Sequence, residues 1–241
     1  MDIGIFSLSG CSGCQIEFLN LEEKILEVLK HLDIKEAQIL VSLEHPGNFD
    51  ISFVEGSPTT VEEIEKLYRI RERSSKVVAM GACACYGGVQ SLIDGQRYSD
   101  AVKRQYGGVL PVVSLPPKGI DNYVDVDAKL YGCPFERDEL LKLISDLVMG
   151  REFRAVDHSV CTECVLFENG CLLDMGEPCM GPVTRGGCSA RCPSRGMFCT
   201  GCRGEYEDEN VEAHIEDLLE KGYSMVEIEG IYNKYYRRLR A

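Results

Sequence analysis

Cys11 and Cys14 stand two residues apart directly after an apolar run, Cys83 follows a second such run, and Cys133 lies in "YGCPFE". Eight more cysteines fall within 42 residues further on. Cys161, Cys164, Cys171 and Cys179 read C-x2-C-x6-C-x7-C, and Cys188, Cys192, Cys199 and Cys202 read C-x3-C-x6-C-x2-C, a near mirror image. Thiolates are soft metal ligands, and four of them around one point suit a tetrahedral zinc or a 4Fe-4S cluster. Spacing alone does not choose between the two. Ferredoxin-type runs also lend a cysteine to a neighbouring cluster, so the grouping is less fixed than the set of ligands.

The elements that position these thiols follow from the hydrophobic pattern. Apolar runs at Asp2 to Leu8, Ala37 to Leu43, Phe49 to Glu55, Lys76 to Met80 and Leu110 to Leu115 read as strands. Helical patterns fill the gaps at Ile16 to His31, Thr60 to Arg73 and Glu136 to Met149, and Ser91 to Gly108 reads as a short helix within a loop. Right-handed crossovers then give an α/β domain with a mostly parallel sheet, whose sites lie beyond the carboxyl ends of the strands. Cys11, Cys14, Cys83 and Cys133 are all placed to converge at that edge. Gly10, Gly13, Gly81, Gly87, Gly88 and Gly132 lie in the same loops, where they allow close backbone approach and favour a cluster whose sulfurs accept amide hydrogen bonds. A composition shift near Gly150 to His158 divides the chain into a sheet domain over residues 1–150 and a cysteine-rich part over residues 151–241.

The 241 residues carry 13 cysteines, a net charge of -13 and 44% hydrophobic residues, enough for a real core. The start shows no basic, apolar signal segment and no run of eighteen apolar residues, so the reading is a reduced, cytoplasmic protein with thiols available for metal. The acidic balance excludes nucleic acid and an anionic membrane as main partners. No glycine-rich nucleotide fingerprint follows the first strand, so NAD and flavin are not expected on this chain.

"CSGCQIEF" at Cys11, "VEGSP" around Glu55, "GACACYGGVQ" around Cys83, "VDVDAKLYGCP" before Cys133 and "PCMGPVTRGGCSARCPSRGMFCTGC" from Pro178 to Cys202 resemble the small subunit of nickel-iron hydrogenases, in its cytosolic branch. The resemblance implies a flavodoxin-like parallel sheet domain followed by a small, irregular iron-sulfur domain. It implies three 4Fe-4S clusters: a proximal one on Cys11, Cys14, Cys83 and Cys133, a distal one on Cys161, Cys164, Cys171 and Cys179, and a medial one on Cys188, Cys192, Cys199 and Cys202. It further implies a partner large subunit that alone holds the nickel-iron centre, and a flavin or iron-sulfur diaphorase-type subunit as acceptor. The related 20 kDa subunit of NADH:quinone oxidoreductase usually carries adjacent cysteines and lacks a second cysteine-rich domain.

Two stretches depart from the family pattern, and Glu55 carries two readings. Many members have an acidic residue just after the first cysteine pair, where this chain has Gln15 and Ile16; Glu17 is then the candidate for the proton path. Glu55, at a strand end, is a candidate neighbour of the ligands and equally a cap for a nearby helix. "GCPP" is replaced by Gly132, Cys133, Pro134 and Phe135. Cys85 reads as a small buried residue, His158 as a surface residue or a neighbour of the ligands rather than a ligand, and His31, His45 and His214 as solvent-facing. A free-standing multicluster electron carrier and a zinc-stapled scaffold are the competing functions.

Overall fold

The computed structural model describes residues 1–21, 24, 30–37, 45–92, 100, 103–107 and 114–235. It separates into two compact units, Met1–Arg154 and Ala155–Ala241.

The first unit is built on a sheet of five parallel strands: β1 (Asp2–Ser7), β2 (Asp33–Ala37), β3 (Phe49–Glu55), β4 (Ser74–Met80) and β5 (Ala128–Leu130), in the order β2-β1-β3-β4-β5. That order is the flavodoxin-like one, with its switch point between β1 and β3. The central strands are buried on both faces, so they read as continuous apolar runs: Ile51, Phe53 and Val54 in β3 and Val77 to Met80 in β4 are wholly enclosed.

Helices α1 (Gly13–Leu19), α2 (Val61–Glu72), α3 (Gly81–Tyr86) and α4 (Arg137–Val148) connect or follow the strands. α2 begins where its chemistry requires. The Thr60 side chain accepts from the Glu63 N–H, Glu62 and Glu63 lie in the first turn, and Arg69 and Arg71 in the last. Leu67 and Ile70 of α2 pack with Phe6, Phe49, Val77, Ala79 and Ile120 in one core cluster.

Two strands of the sheet lie outside the expected runs. The second lies at Asp33–Ala37, ahead of the apolar run at 37–43, of which residues 38–43 fall outside the described residues. As an edge strand it carries Asp33, Lys35 and Glu36, the charged pattern that keeps an edge from pairing further. The fifth is Ala128–Leu130, whereas residues 110–113 of the expected run are not described and 114–115 form no strand. α1 starts at Gly13, three residues before the expected start, so Cys14 falls in its first turn; residues 22–23 and 25–29 of the longer expected helix are not described. Of the segment 91–108, residues 93–99, 101–102 and 108 are likewise outside the description.

The second unit is irregular. Helix α5 (Val160–Leu166) and short 3-10 turns at Gly181–Val183 and Pro193–Arg195 carry the cysteine loops, and α6 (Val211–Glu220) and α7 (Met225–Tyr232) follow. α6 is capped by Asn210, and α7 by a reciprocal capping box between Ser224 and Glu227. The core of this unit joins Val160, Met180, Val183 and Ala190 to Leu218, Ile228 and Tyr232 of the two final helices, with Cys179 and Cys199 inside it. No helix among the described residues is long and apolar enough to cross a membrane.

β5 depends on Asp127, whose Oδ2 accepts from the Val77 N–H at 2.8 Å and from Arg71 Nη1 at 2.7 Å. Asp127→Ala leaves a buried strand amide unpaired, and the expected loss of stability is about 1–3 kcal/mol. Urea unfolding followed by circular dichroism measures it, with Asp127→Asn losing less.

Candidate metal centres

All thirteen cysteines are free thiols. In the first unit, four come from three segments that follow strands. Cys11 ends the turn after β1, Cys14 sits in the first turn of α1, Cys83 lies in α3 directly after β4, and Cys133 follows β5. The chain after β1 runs antiparallel to that after β3 through a Ser9–Ser57 bridge, and the Ala82 N–H donates to the Gly132 carbonyl at 2.7 Å. These contacts draw the loops together at the β1/β3 switch point and beside it.

The electrostatics register the convergence. Burial, above all, raises the Cys14 thiol pKa far beyond its ordinary value; Glu55 raises it further, the Phe135 N–H opposes the rise, and Cys133 and Cys83 add to it. Cys83 is raised chiefly by burial, opposed by Gln90, with Cys133, Cys11 and Glu55 pushing upward. Each thiol therefore resists charge on the others. A bound iron core would reverse the balance, because cationic metal deprotonates coordinating thiols outright.

The surrounding space fits such a group. Gly81, at φ +78°, faces Cys14, and a methyl group there would overlap Cys14 Sγ; one at Gly13 would come within 3.2 Å of Cys11 Sγ. Gln90 Nε2 donates to Cys83 Sγ at 3.3 Å and to the Ser9 carbonyl at 2.9 Å. Glu55, 2% exposed, accepts from the N–H groups of Cys14 and Gln15 at 3.3 and 3.0 Å. It therefore caps α1 from the end of β3 and fixes the Cys14 backbone. Glu17 pairs with Arg137 Nε at 2.5 Å. Cys85 is buried, its thiol directed at the Leu130 carbonyl at 3.3 Å.

In the second unit, the thiols of Cys161, Cys164, Cys171 and Cys179 also meet. Burial pushes Cys161 up to about 12, with Cys179, Cys164 and Cys171 adding to it. Cys179 is raised by burial and by Cys164 and Cys171, against the N–H groups of Cys199 and Gly181. A methyl group at Gly181 would come within 3.1 Å of Cys161 Sγ and 3.5 Å of Cys179 Sγ. Asn169 Nδ2 donates to Cys164 Sγ at 3.6 Å. Cys199 is raised by burial, lowered by the Gly201 N–H, and raised by Cys202 and Cys179, while its own N–H donates to Cys179 Sγ at 3.3 Å. Cys188 and Cys192 lie on the preceding loop, with Cys188 Sγ 3.8 Å from Glu163 Oε2. Among the described residues, no group of three or more His, Cys, Asp or Glu side chains is placed to hold a single metal ion.

His214 corrects the sequence reading. It is 2% exposed, with Nε2 3.0 Å from the Cys179 carbonyl and Nδ1 2.5 Å from the Tyr232 hydroxyl. Its spacing in α6, four residues before Leu218, was the available signal of a buried face. Arg185 braces the backbone through Asp157 and the carbonyls of Val156 and Glu205, and His158 Nδ1 is 3.1 Å from the Ser159 carbonyl.

Residues 11–147 match the family described as NADH ubiquinone oxidoreductase, 20 Kd subunit. The chain belongs to this family. Among its relatives is sulfhydrogenase 2 subunit delta of Pyrococcus furiosus, 40% identical over 222 residues, covering 91% of this chain and 93% of that protein. A solved NAD+-reducing nickel-iron hydrogenase in the H2-reduced state contains a chain 26% identical, with a TM-score of 0.57 over 63% of this family member and 93% of that chain. The reduced nickel-iron-selenium hydrogenase of Desulfomicrobium baculatum shares the fold at 17% identity, with a TM-score of 0.60 over 88% and 96%. In this branch of the 20 kDa family, hydrogenase small subunits are parts of an oxidoreductase complex.

Gly81→Ala is expected to misplace Cys14 and lower the iron bound per chain. Gly230→Ala, where an added methyl group meets nothing within 4 Å, is expected to leave it unchanged. Iron and sulfide assays on the anaerobically purified protein make the comparison.

Proposed function

We propose that this chain is the electron-transferring small subunit of a nickel-iron hydrogenase, relaying electrons through three 4Fe-4S clusters. Cys11, Cys14, Cys83 and Cys133 hold the proximal cluster, Cys161, Cys164, Cys171 and Cys179 the distal one, and Cys188, Cys192, Cys199 and Cys202 the medial one. Hydrogen is activated at the nickel-iron centre of a partner large subunit. A flavin or iron-sulfur diaphorase-type subunit in the cytoplasm receives or supplies the electrons. The NAD+-reducing hydrogenase to which the chain is similar supports an acceptor of that kind.

The observation that carries this reading is the convergence of four electrostatically coupled thiols at the switch point of a flavodoxin-like sheet. In this fold that crevice ordinarily receives a cofactor.

A 4Fe-4S cluster, when bound, supplies one-electron chemistry at a potential set by its surroundings, roughly -700 to +450 mV. The chain's own residues set those surroundings. The N–H groups of Phe135, Cys199, Gly181 and Gly201 and the Gln90 amide direct donors at ligand sulfurs, which favours the more negative, reduced state. Glu55 counters that locally with a buried carboxylate and at the same time holds α1 in place. Glu17 is the proton carrier of α1 in this reading, with Arg137 as its partner.

The test is metal and sulfide analysis of the anaerobically purified complex. About twelve iron and twelve sulfide per chain, with nickel in a co-purifying larger subunit, is the expected result. Zinc without sulfide would overturn it.

A further inference from the structure

Glu163 lies between Cys161 and Cys164 in the sequence and Arg203 directly follows Cys202, yet both are enclosed, at 9% and 1% exposure. They meet at one peptide group. Glu163 Oε1 accepts from the Gly187 N–H at 2.5 Å, and Arg203 Nε donates to the Gly186 carbonyl at 2.5 Å. That N–H and that carbonyl belong to the same bond, so a carboxylate and a guanidinium grip its two poles in the sense its dipole requires.

The gripped peptide leads straight into the Cys188 loop. Gly187, Ser189 and Ala190 all have positive φ, at 101°, 54° and 45°, a conformation that Ser and Ala adopt only under constraint. Glu163 supplies the constraint a second time, since Oε2 accepts from the Ala190 N–H at 3.0 Å while lying 3.8 Å from Cys188 Sγ. The amides of the loop thus form a concave nest around one carboxylate. On the other side, the Gly186 N–H donates to the His158 carbonyl at 2.6 Å and the Arg185 N–H to the Gly204 carbonyl at 2.9 Å. Neither glycine tolerates a side chain: a methyl group on Gly186 would come within 2.6 Å of the His158 ring, and one on Gly187 within 2.5 Å of Arg203 Nη2.

We propose that Glu163 and Arg203 are positioning residues whose clamp on the Gly186–Gly187 peptide locks the Cys188 loop to helix α5. The clamp holds the two cysteine quartets of this unit at one separation, and it places the Glu163 charge beside the group that Cys188 binds. This rests on the reading that both quartets hold redox clusters. A negative charge next to a cluster disfavours its reduction, so loss of the charge raises the potential.

Glu163→Gln is the informative variant, because it keeps the shape and one acceptor while removing the charge and the second acceptor. Redox titration of the complex by electron paramagnetic resonance is expected to show unchanged iron content. It is also expected to show a roughly tenfold rise in the reduced-to-oxidised ratio of one cluster at fixed potential, about 59 mV for a one-electron couple. Glu163→Ala removes both acceptors and is expected to weaken the magnetic interaction between the two reduced clusters as well. Glu216→Gln, on the exposed face of α6, is expected to do neither. Unshifted potentials in a Glu163→Gln protein whose iron is complete would overturn the clamp alone. Absence of iron and sulfide from the unsubstituted complex would overturn the clamp together with the reading beneath it.

Discussion

Buried thiols gathered in one place cannot all carry charge unless a cation joins them. In the first unit, the fold brings buried Cys14 and half-buried Cys83 beside the exposed Cys11 and Cys133 against that repulsion, and it adds the buried carboxylate of Glu55. The sheet makes this possible. Parallel strands whose apolar side chains are enclosed on both faces leave β1, β3, β4 and β5 ending at the same edge, where the segments after β1, β4 and β5 deliver the four thiols and β3 delivers Glu55. The thiols there sit beside a buried carboxylate and are supplied with hydrogen-bond donors from the Phe135 amide and Gln90.

The second unit solves the same problem with almost no regular structure. Its polar backbone would be left unsatisfied if the loops were free to choose their conformation, so nearly every turn near a thiol is fixed by a named partner. Cys179 is held from below by His214, whose other nitrogen is engaged by Tyr232. The two last helices thus act on a ligand loop through its carbonyl, and the core of this unit is as much α6 and α7 as it is cysteine loops. Buried charge in this unit is placed to organise backbone, with Glu163 and Arg203 each meeting a peptide group.

Much of this was legible in the sequence. The cysteines announced themselves by spacing, and β1, β3, β4, α2 and α4 were visible because buried central strands and amphipathic helices leave strong periodic signals. β2 and β5 were not read as strands for a physical reason. An edge strand such as Asp33–Ala37 trades hydrophobicity for charge, and Ala128–Leu130 is three residues long with Lys129 in the middle, anchored to Asp121. Neither has a period to read. The supporting residues were harder still: Gln90, His214, Glu163 and Arg203 act on atoms 7 to 81 residues away through contacts that only the folded chain creates. The capping role of Glu55 was open in the sequence as one of two readings, and the distance to the Cys14 and Gln15 amides supplies it.

The two units differ in when their thiols can meet during synthesis. All eight cysteines of the second unit emerge within 42 residues of one another, so each of its sets closes through short loops. The first set is different, since Cys133 is the last of its four to be made and lies beyond the final strand of the sheet. Cys11 and Cys14 leave the ribosome more than a hundred residues before the fourth thiol exists. That gathering of thiols is therefore a late, whole-sheet event, completed only after most of the first unit has been translated.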